Sequence, residues 1–569
     1  MLKRNYLMLA MLLVLCFVLP AGAEEADTAA QFAAQLGPLT LLPPLVAITL
    51  AFITKNVVFS LFIGVFCGTF LLNVTGNNIF FAFIGAFSGV VDQALASLSD
   101  SWNAGIVLQC LTIGGVIALI TKMGGAKAVA EALAKKATNA RNAQILTFIA
   151  GLFIFFDDYA NSLIVGPTMR PVSDKFKISR EKLAFIIDST AAPIAGIALI
   201  STWIGYELSL IKDAYASIGQ PVSAYAIFLE TLPFRFYNIL ILAFIIISAC
   251  FLRDFGPMGK AQQRAFKTGD LADKNSKVED TAELRAVAPK EGIKLNIWNA
   301  LIPVGVLIVA SFVGFYVNGY SSVMSGEDQE LIKLMQTSPY SFVSIREAFS
   351  ASDASIVLFQ GALLGSIVAL AMGAMQKIFT LKEGIDIWVK GIKSLVITGV
   401  ILILAWSLSG VIKELGTAKF LVSVLSDVMP AFILPAVIFI LGSIISFATG
   451  TSYGTMGILM PLAVPLAFAI SPDHAYVCMS VGAVLTGAIF GDHCSPISDT
   501  TILSSMGASC DHLDHVRTQI PYSLTVAAIT VLLGYIPSAL GVPLLIVFPL
   551  TLGALAGVIY FVGKPNMGQ

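Results

Sequence analysis

Charge is what this 569-residue chain has least of. Only 12% of its residues are Asp, Glu, Lys or Arg, about half of the roughly 25% carried by soluble domains. That leaves too few charges to cover a water-facing surface. The net charge of −1 gives no basic field that would draw nucleic acid. The seven cysteines (Cys16, Cys67, Cys110, Cys250, Cys478, Cys494 and Cys510) include no C-x-x-C pair, which argues against a zinc ribbon and a disulfide framework. Nucleophile motifs and phosphate-binding loops are also missing, so nothing points to an enzyme or to a bound cofactor. Lys and Arg are absent over two long stretches, Asn56 to Thr121 and Phe420 to Val516.

What the chain has in quantity is apolar length. Hydrophobic residues make up 57%, and runs of about 20, enough to cross a bilayer, recur from end to end. Spans are expected near 38–54, 57–72, 102–121, 183–203, 237–252, 297–317, 355–374, 394–412, 476–500, 519–538 and 541–562. The stretch 79–98 reads either as a span or as an interfacial helix, with Asp92 and Asp100 at its polar end. At the start, Lys3 and Arg4 precede an apolar run that ends in Ala21-Gly22-Ala23, the outline of a signal peptide over residues 1–23. The alternative is an uncleaved first span.

Basic clusters mark cytoplasmic loops. Lys122, Lys127, Lys135, Lys136 and Arg141 form one, and Arg170, Lys175, Lys177, Arg180 and Lys182 another. The residues between them, 142–169, are too few for two crossings at 1.5 Å per residue. A re-entrant hairpin is therefore expected there, with Asp157-Asp158 in its middle. Non-helical backbone at that depth must be enclosed by protein or face a wet cavity. The segment 253–296 holds 16 charged residues, nine of them basic, and reads as a cytoplasmic linker between two halves.

The halves repeat one another. Gly115-Val116-Ile117 matches Gly410-Val411-Ile412, Ala126-Lys127 matches Ala418-Lys419, and Ala192-Pro193-Ile194 matches Ser495-Pro496-Ile497. Phe156 precedes the aspartates as Phe447 precedes Ala448-Thr449-Gly450-Thr451-Ser452. The second hairpin, at 430–470, lacks the basic flanks of the first, so it is expected to enter from the opposite side. The expected architecture is an all-α polytopic membrane protein of about 11 transmembrane helices with two re-entrant hairpins in an inverted-topology repeat. The first repeat covers 37–252, the second 297–540, and 541–562 is an extra C-terminal span. This is the plan of secondary transporters, whose sites lie where the repeats meet.

An ionisable residue within the membrane is costly and is a functional candidate by default. Asp157, Asp158, Asp188, Asp492, His493 and Asp499 qualify. Hydroxyl and amide oxygens near them complete the set: Asn161, Ser162, Thr190, Thr449, Thr451, Ser452, Ser495 and Thr500. Sodium, like other hard cations, takes oxygen ligands, and a proton competes with it on the same carboxylate. Glu207 reads as a residue at the outer interface, His474 as a loop residue, and Asp511 to Arg517 as the cytoplasmic end of a span. The central spans show no Lys or Arg, which counts against an organic anion as cargo.

F-F-D-D-Y-A-N-S-L at 155–163, F-A-T-G-T-S-Y-G-T at 447–455, G-D-H-C-S-P-I-S-D-T-T at 491–501 and D-H-L-D-H-V-R-T-Q at 511–519 resemble the NhaC-type sodium/proton antiporter family of the ion-transporter superfamily. The resemblance covers roughly residues 37–562. It implies exchange of Na+ for H+ across a bacterial cytoplasmic membrane, with the hairpins in the transport site and with homodimers as the state to expect. The family also includes exchangers of organic acids such as malate and lactate. A coupled transporter of a small organic anion or amino acid is therefore the second expectation.

Overall fold

The computed structural model describes residues 28–54, 56–74, 78–272, 289–290, 292–425 and 428–565. The leader (1–23) and much of the linker (253–296) lie outside them. Among the described residues, 11 helical segments are long and apolar enough to cross a membrane. They include Ile79–Ser99, so the ambiguous stretch at 79–98 has the length of a span. Its Phe80, Phe81, Phe83 and Phe87 are exposed, as a lipid-facing helix requires. The only strands among the described residues are Arg253–Asp254 and Lys564–Pro565, paired antiparallel, which fasten the start of the linker to the C-terminal end.

Ten helices enclosing the interior are labelled here in chain order: α1 Ala140–Phe153, α2 Asp158–Lys175, α3 Arg180–Ser189, α4 Ile204–Ser217, α5 Phe236–Phe251, α6 Leu434–Thr449, α7 Ser452–Ile470, α8 His474–Cys494, α9 Asp499–Ala508 and α10 His512–Ile529. α8 is the central post, buried all round from Tyr476 to Cys494. α1 and α6 have 14 and 16 residues, so they reach only about 21–24 Å, short of the roughly 30 Å hydrocarbon core. Each is followed by a break and a second helix.

The breaks have local causes. Asp157 caps α2, accepting from Ala160 N at 2.6 Å, and an Asp at this position satisfies an otherwise unpaired backbone N–H. Gly450 ends α6 at φ +68°, a left-handed conformation that favours glycine. The residues that open the second helices, Asp157 and Thr451, share nearly the same extended backbone (φ −157°, ψ 127° and φ −147°, ψ 129°). Pro167 and Pro171 follow Asp157 by ten and 14 residues, and Pro461 and Pro465 follow Thr451 by the same distances. This spacing adds to the internal repeat.

The expected span at 183–203 is corrected. α3 stops at Ser189, a single turn forms at Ala192–Ala195, and helix resumes only at Ile204. Pro193 cannot supply a backbone N–H, and side chains occupy the carbonyls left over: Asn238 Nδ2 donates to Pro193 O at 2.8 Å, Ser201 Oγ to Ala195 O at 2.8 Å, and Arg235 Nη1 to Gly196 O at 3.0 Å. The expected span at 476–500 is broken in the same way, between Cys494 and Asp499.

Candidate functional site

Three helix breaks converge. The α1–α2 break, the α6–α7 break and the α8–α9 break line one cavity of about 100 Å³, closed further by Thr202, Trp203 and the segment from Ser394 to Thr398. Four carboxylates face it: Asp157, Asp158, Asp492 and Asp499. No Lys or Arg lines it. Asp492 is held on both oxygens, Oδ1 accepting from Ser498 Oγ at 2.6 Å and Oδ2 from Ser452 Oγ at 2.8 Å. Tyr159 Oη donates to Asp499 Oδ2 at 3.2 Å, which joins the first half of the chain to the second. Thr451 and Thr500 also line the cavity, and Thr500 Oγ1 lies 2.9 Å from Ser498 Oγ. Thr202 Oγ1 is buried at the wall and has no hydrogen-bond partner, which leaves an oxygen for a ligand.

Seven of the 14 residues singled out in the sequence thus share the cavity: Asp157, Asp158, Thr451, Ser452, Asp492, Asp499 and Thr500. The others brace it. Asn161 Nδ2 donates to Gly151 O at 2.9 Å and Thr190 O at 2.7 Å, tying α1 to the end of α3. Ser162 Oγ meets Ser504 Oγ at 3.0 Å, where α2 crosses α9. This crossing is close because it uses glycines: a Cβ on Gly507 would lie 2.4 Å from Ser162 O. Small residues permit such approach inside membranes. Thr449 Oγ1 donates to Ser446 O, and Ser495 Oγ to Phe447 O at 2.7 Å, so both hold the α6 tip. His493 has both ring nitrogens engaged, Nε2 with Ser189 Oγ and Nδ1 with Tyr237 Oη, each at 2.8 Å.

Asp188 lies in a second polar cluster. Its Oδ2 accepts from Gln519 Nε2 at 2.8 Å and stands 3.7 Å from His515 Nε2. His515 is fully buried, with Nδ1 at 2.8 Å from Ser505 Oγ, in the first turn of α10, where the candidate span His512–Ala539 begins. Two expectations are corrected. Glu207 is not at an interface: it is fully buried and pairs with Arg235 at 2.8 Å. Basic residues do enter the interior, as Arg235 and as Lys182, which is paired with Asp254 at 2.7 Å. Thr202, Trp203, Ser394 and Thr398 were not legible as site residues, because a lone hydroxyl or a Trp does not stand out against an apolar run.

Next to the acid cavity lies a larger one of about 780 Å³, which shares Asp157, Tyr159, Ser394, Leu395 and Asp499 with it and carries Lys122 and Lys390 on its wall. Lys290 of the linker donates its backbone N–H to Lys122 O at 3.1 Å, so the wide cavity lies toward the linker face.

The model of the Na+/H+ antiporter family matches residues 1–198 and 194–537. A Haemophilus influenzae protein described as uncharacterized is 33% identical over 501 residues, 87% of this chain and 90% of the relative. The malate-2H(+)/Na(+)-lactate antiporter of Bacillus subtilis is 31% identical over 180 residues, 31% of this chain and 36% of that one. The Na(+)/H(+) antiporter NhaC of Alkalihalophilus pseudofirmus is 32% identical over 151 residues, 26% of this chain and 30% of that one. Among solved structures, the YdaH transporter of Alcanivorax borkumensis and MtrF of Neisseria gonorrhoeae share the fold. Each has a TM-score of 0.50 at 13% identity, over 81% and 85% of this chain and 90% and 85% of theirs. With its family model matched along most of its length and its spans those of a multi-pass membrane protein, the chain belongs to the Na+/H+ antiporter family.

Proposed function

We propose that this secondary antiporter exchanges Na+ for H+ at the acid cavity by alternating access, in a bacterial cytoplasmic membrane and as a homodimer. One observation carries the reading: four carboxylates, three of them buried (Asp157, Asp158 and Asp492), face a single small cavity that no Lys or Arg lines. Such a set cannot stay ionised together without compensation, because mutual repulsion and lost hydration both oppose it. Compensation must come from protons or from a cation. Sodium would take carboxylate oxygens together with hydroxyls such as Ser452, Thr500 and Thr202, the ligand type hard cations need. Protonation of the same carboxylates then expels the ion, and this competition couples the two fluxes. The α1–α2 and α6–α7 breaks are read as the tips of re-entrant hairpins of opposite orientation, supported by the short first helices, the matched prolines and the asymmetry in basic flanks.

A second reading has its own observation. The wide cavity of about 780 Å³ exceeds what a sodium ion requires, and its Lys122 and Lys390 would suit an organic carboxylate. The malate/lactate antiporter relative is consistent with that cargo, with the acid cavity then serving the coupling ion.

Proteoliposomes with an internal pH dye separate the readings. A sodium gradient should drive a pH change in wild type that Asp158→Asn and Asp499→Asn abolish. A sodium response that survives both substitutions would exclude the acid cavity as the exchange site. No pH response to sodium, together with uptake of labelled malate, would overturn the first reading in favour of the second.

A further inference from the structure

We infer that the chain carries a zinc-type divalent metal site, built from Glu230, His474 and Cys478, at the face opposite the linker and away from the acid cavity. Their donor atoms all lie within 4.8 Å of one another. Cys478 Sγ is 3.6 Å from His474 Nε2 and 3.8 Å from Glu230 Oε2, and the imidazole and carboxylate are in direct contact. His474 and Cys478 stand one turn apart at the start of α8, the i, i+4 spacing that points two ligands from one helix face. Glu230 comes from a separate helix, Ala224–Thr231.

The geometry suits the ion. Around a tetrahedral zinc with N and O bonds near 2.0–2.2 Å and an S bond near 2.3 Å, neighbouring donors sit roughly 3.3–3.8 Å apart. The two distances to sulfur already have this value. Only the Glu230–His474 contact must widen, and both side chains are free to turn, being 52% and 60% exposed. The thiol is buried beneath them with Tyr215 Oη at 3.7 Å. Mixed S, N and O donors select zinc over calcium or magnesium. Three protein ligands leave a fourth position for water on the exposed side. Binding releases the thiol proton to solvent as the metal–sulfur bond forms.

The location is independent of the transport reading. α5 runs from Phe236 to the linker, so the preceding Ala224–Thr231 helix lies at the opposite end. α8 begins beside it, within the stretch that lacks Lys and Arg. A metal there would staple Ala224–Thr231 to α8.

The test uses the full chain, purified in detergent and freed of metal. Titration calorimetry with Zn2+ should give one site per chain, and Co2+ should produce a thiolate charge-transfer band. His474→Gln and Cys478→Ala should each weaken Zn2+ binding by more than about 100-fold. Cys478 is buried against Tyr215; His474→Gln alters an exposed side chain and serves as the second variant, separating ligand loss from a folding defect. Unchanged affinity in His474→Gln, Co2+ binding without the thiolate band, or no binding by folded wild type would each overturn the site and leave an exposed ion pair.

Discussion

Arg235 is the most informative single residue outside the acid cavity. It is fully buried, and its guanidinium reaches three elements: Nη2 to Glu207 on α4 at 2.8 Å, Nη1 to Gly196 O in the broken segment at 3.0 Å, and Nε to Thr231 Oγ1 at 3.2 Å. Removing one member of a buried pair leaves an uncompensated charge, which costs about 3–5 kcal/mol. Glu207→Gln should therefore lower the unfolding free energy of the detergent-solubilised chain by about that much. Glu207→Leu combined with Arg235→Met should recover most of it, as read by thermal unfolding with intrinsic tryptophan fluorescence. Additive losses in the double variant would show that the two residues are not coupled. The sequence concealed this pair but displayed the acids. Asp157, Asp158, Asp492 and Asp499 stand out because a carboxylate inside an apolar run is costly and is a functional candidate by default. Arg235 falls between two apolar helices, where a basic residue normally marks a loop. Only the 48° bend at that point turns it inward.

At the scale of elements, the breaks matter more than the helices. The α6 tip is locked against the α8–α9 break by Ser495 donating to Phe447 O and by close backbone approach at Gly450, where a Cβ would lie 2.7 Å from Ile497 O. A side chain there meets both that clash and a φ of +68°, a conformation costing L-residues roughly 1–2 kcal/mol. Gly450→Ala should shift the tip and lower apparent sodium affinity by at least about tenfold, since about 1.4 kcal/mol corresponds to a factor of ten. Gly553→Ala, where a Cβ meets nothing within 4 Å, should leave sodium-driven exchange at wild-type levels. Equal activity of the two variants in proteoliposomes would mean that the tip geometry is not limiting. Hydropathy showed the helices but not these breaks. A window average stays high across Ser189 to Ile204, because the polar residues there are few and small, so 183–203 reads as one span. The matched proline pairs of α2 and α7 were visible in the chain, yet their meaning depends on knowing where each tip begins.

For the molecule as a whole, the two cavities imply a direction. The acid cavity and the wide one share Asp157, Tyr159, Ser394, Leu395 and Asp499 in their walls. The wide one lies toward the linker, where Lys290 bonds to Lys122 and lies 3.6 Å from Glu383. α8, which carries Asp492, is buried from Tyr476 to its end. Under the exchange proposed above, a site reached from one face is one limb of alternating access, and the expectation of a cytoplasmic basic linker would make that face the cytoplasmic one. Ile387 and Ser394, on the helix Leu381–Ser394, border the open cavity. In a background with the native cysteines replaced, Ile387→Cys and Ser394→Cys should react with a membrane-impermeant maleimide in inside-out vesicles and stay largely unlabelled in right-side-out ones. Ser394→Cys, which borders both cavities, should be protected by sodium, while Ile387→Cys, at the wide cavity alone, should not be. The opposite sidedness would reverse the orientation of the whole chain. Equal labelling from both sides would mean that the resting protein samples both limbs without sodium.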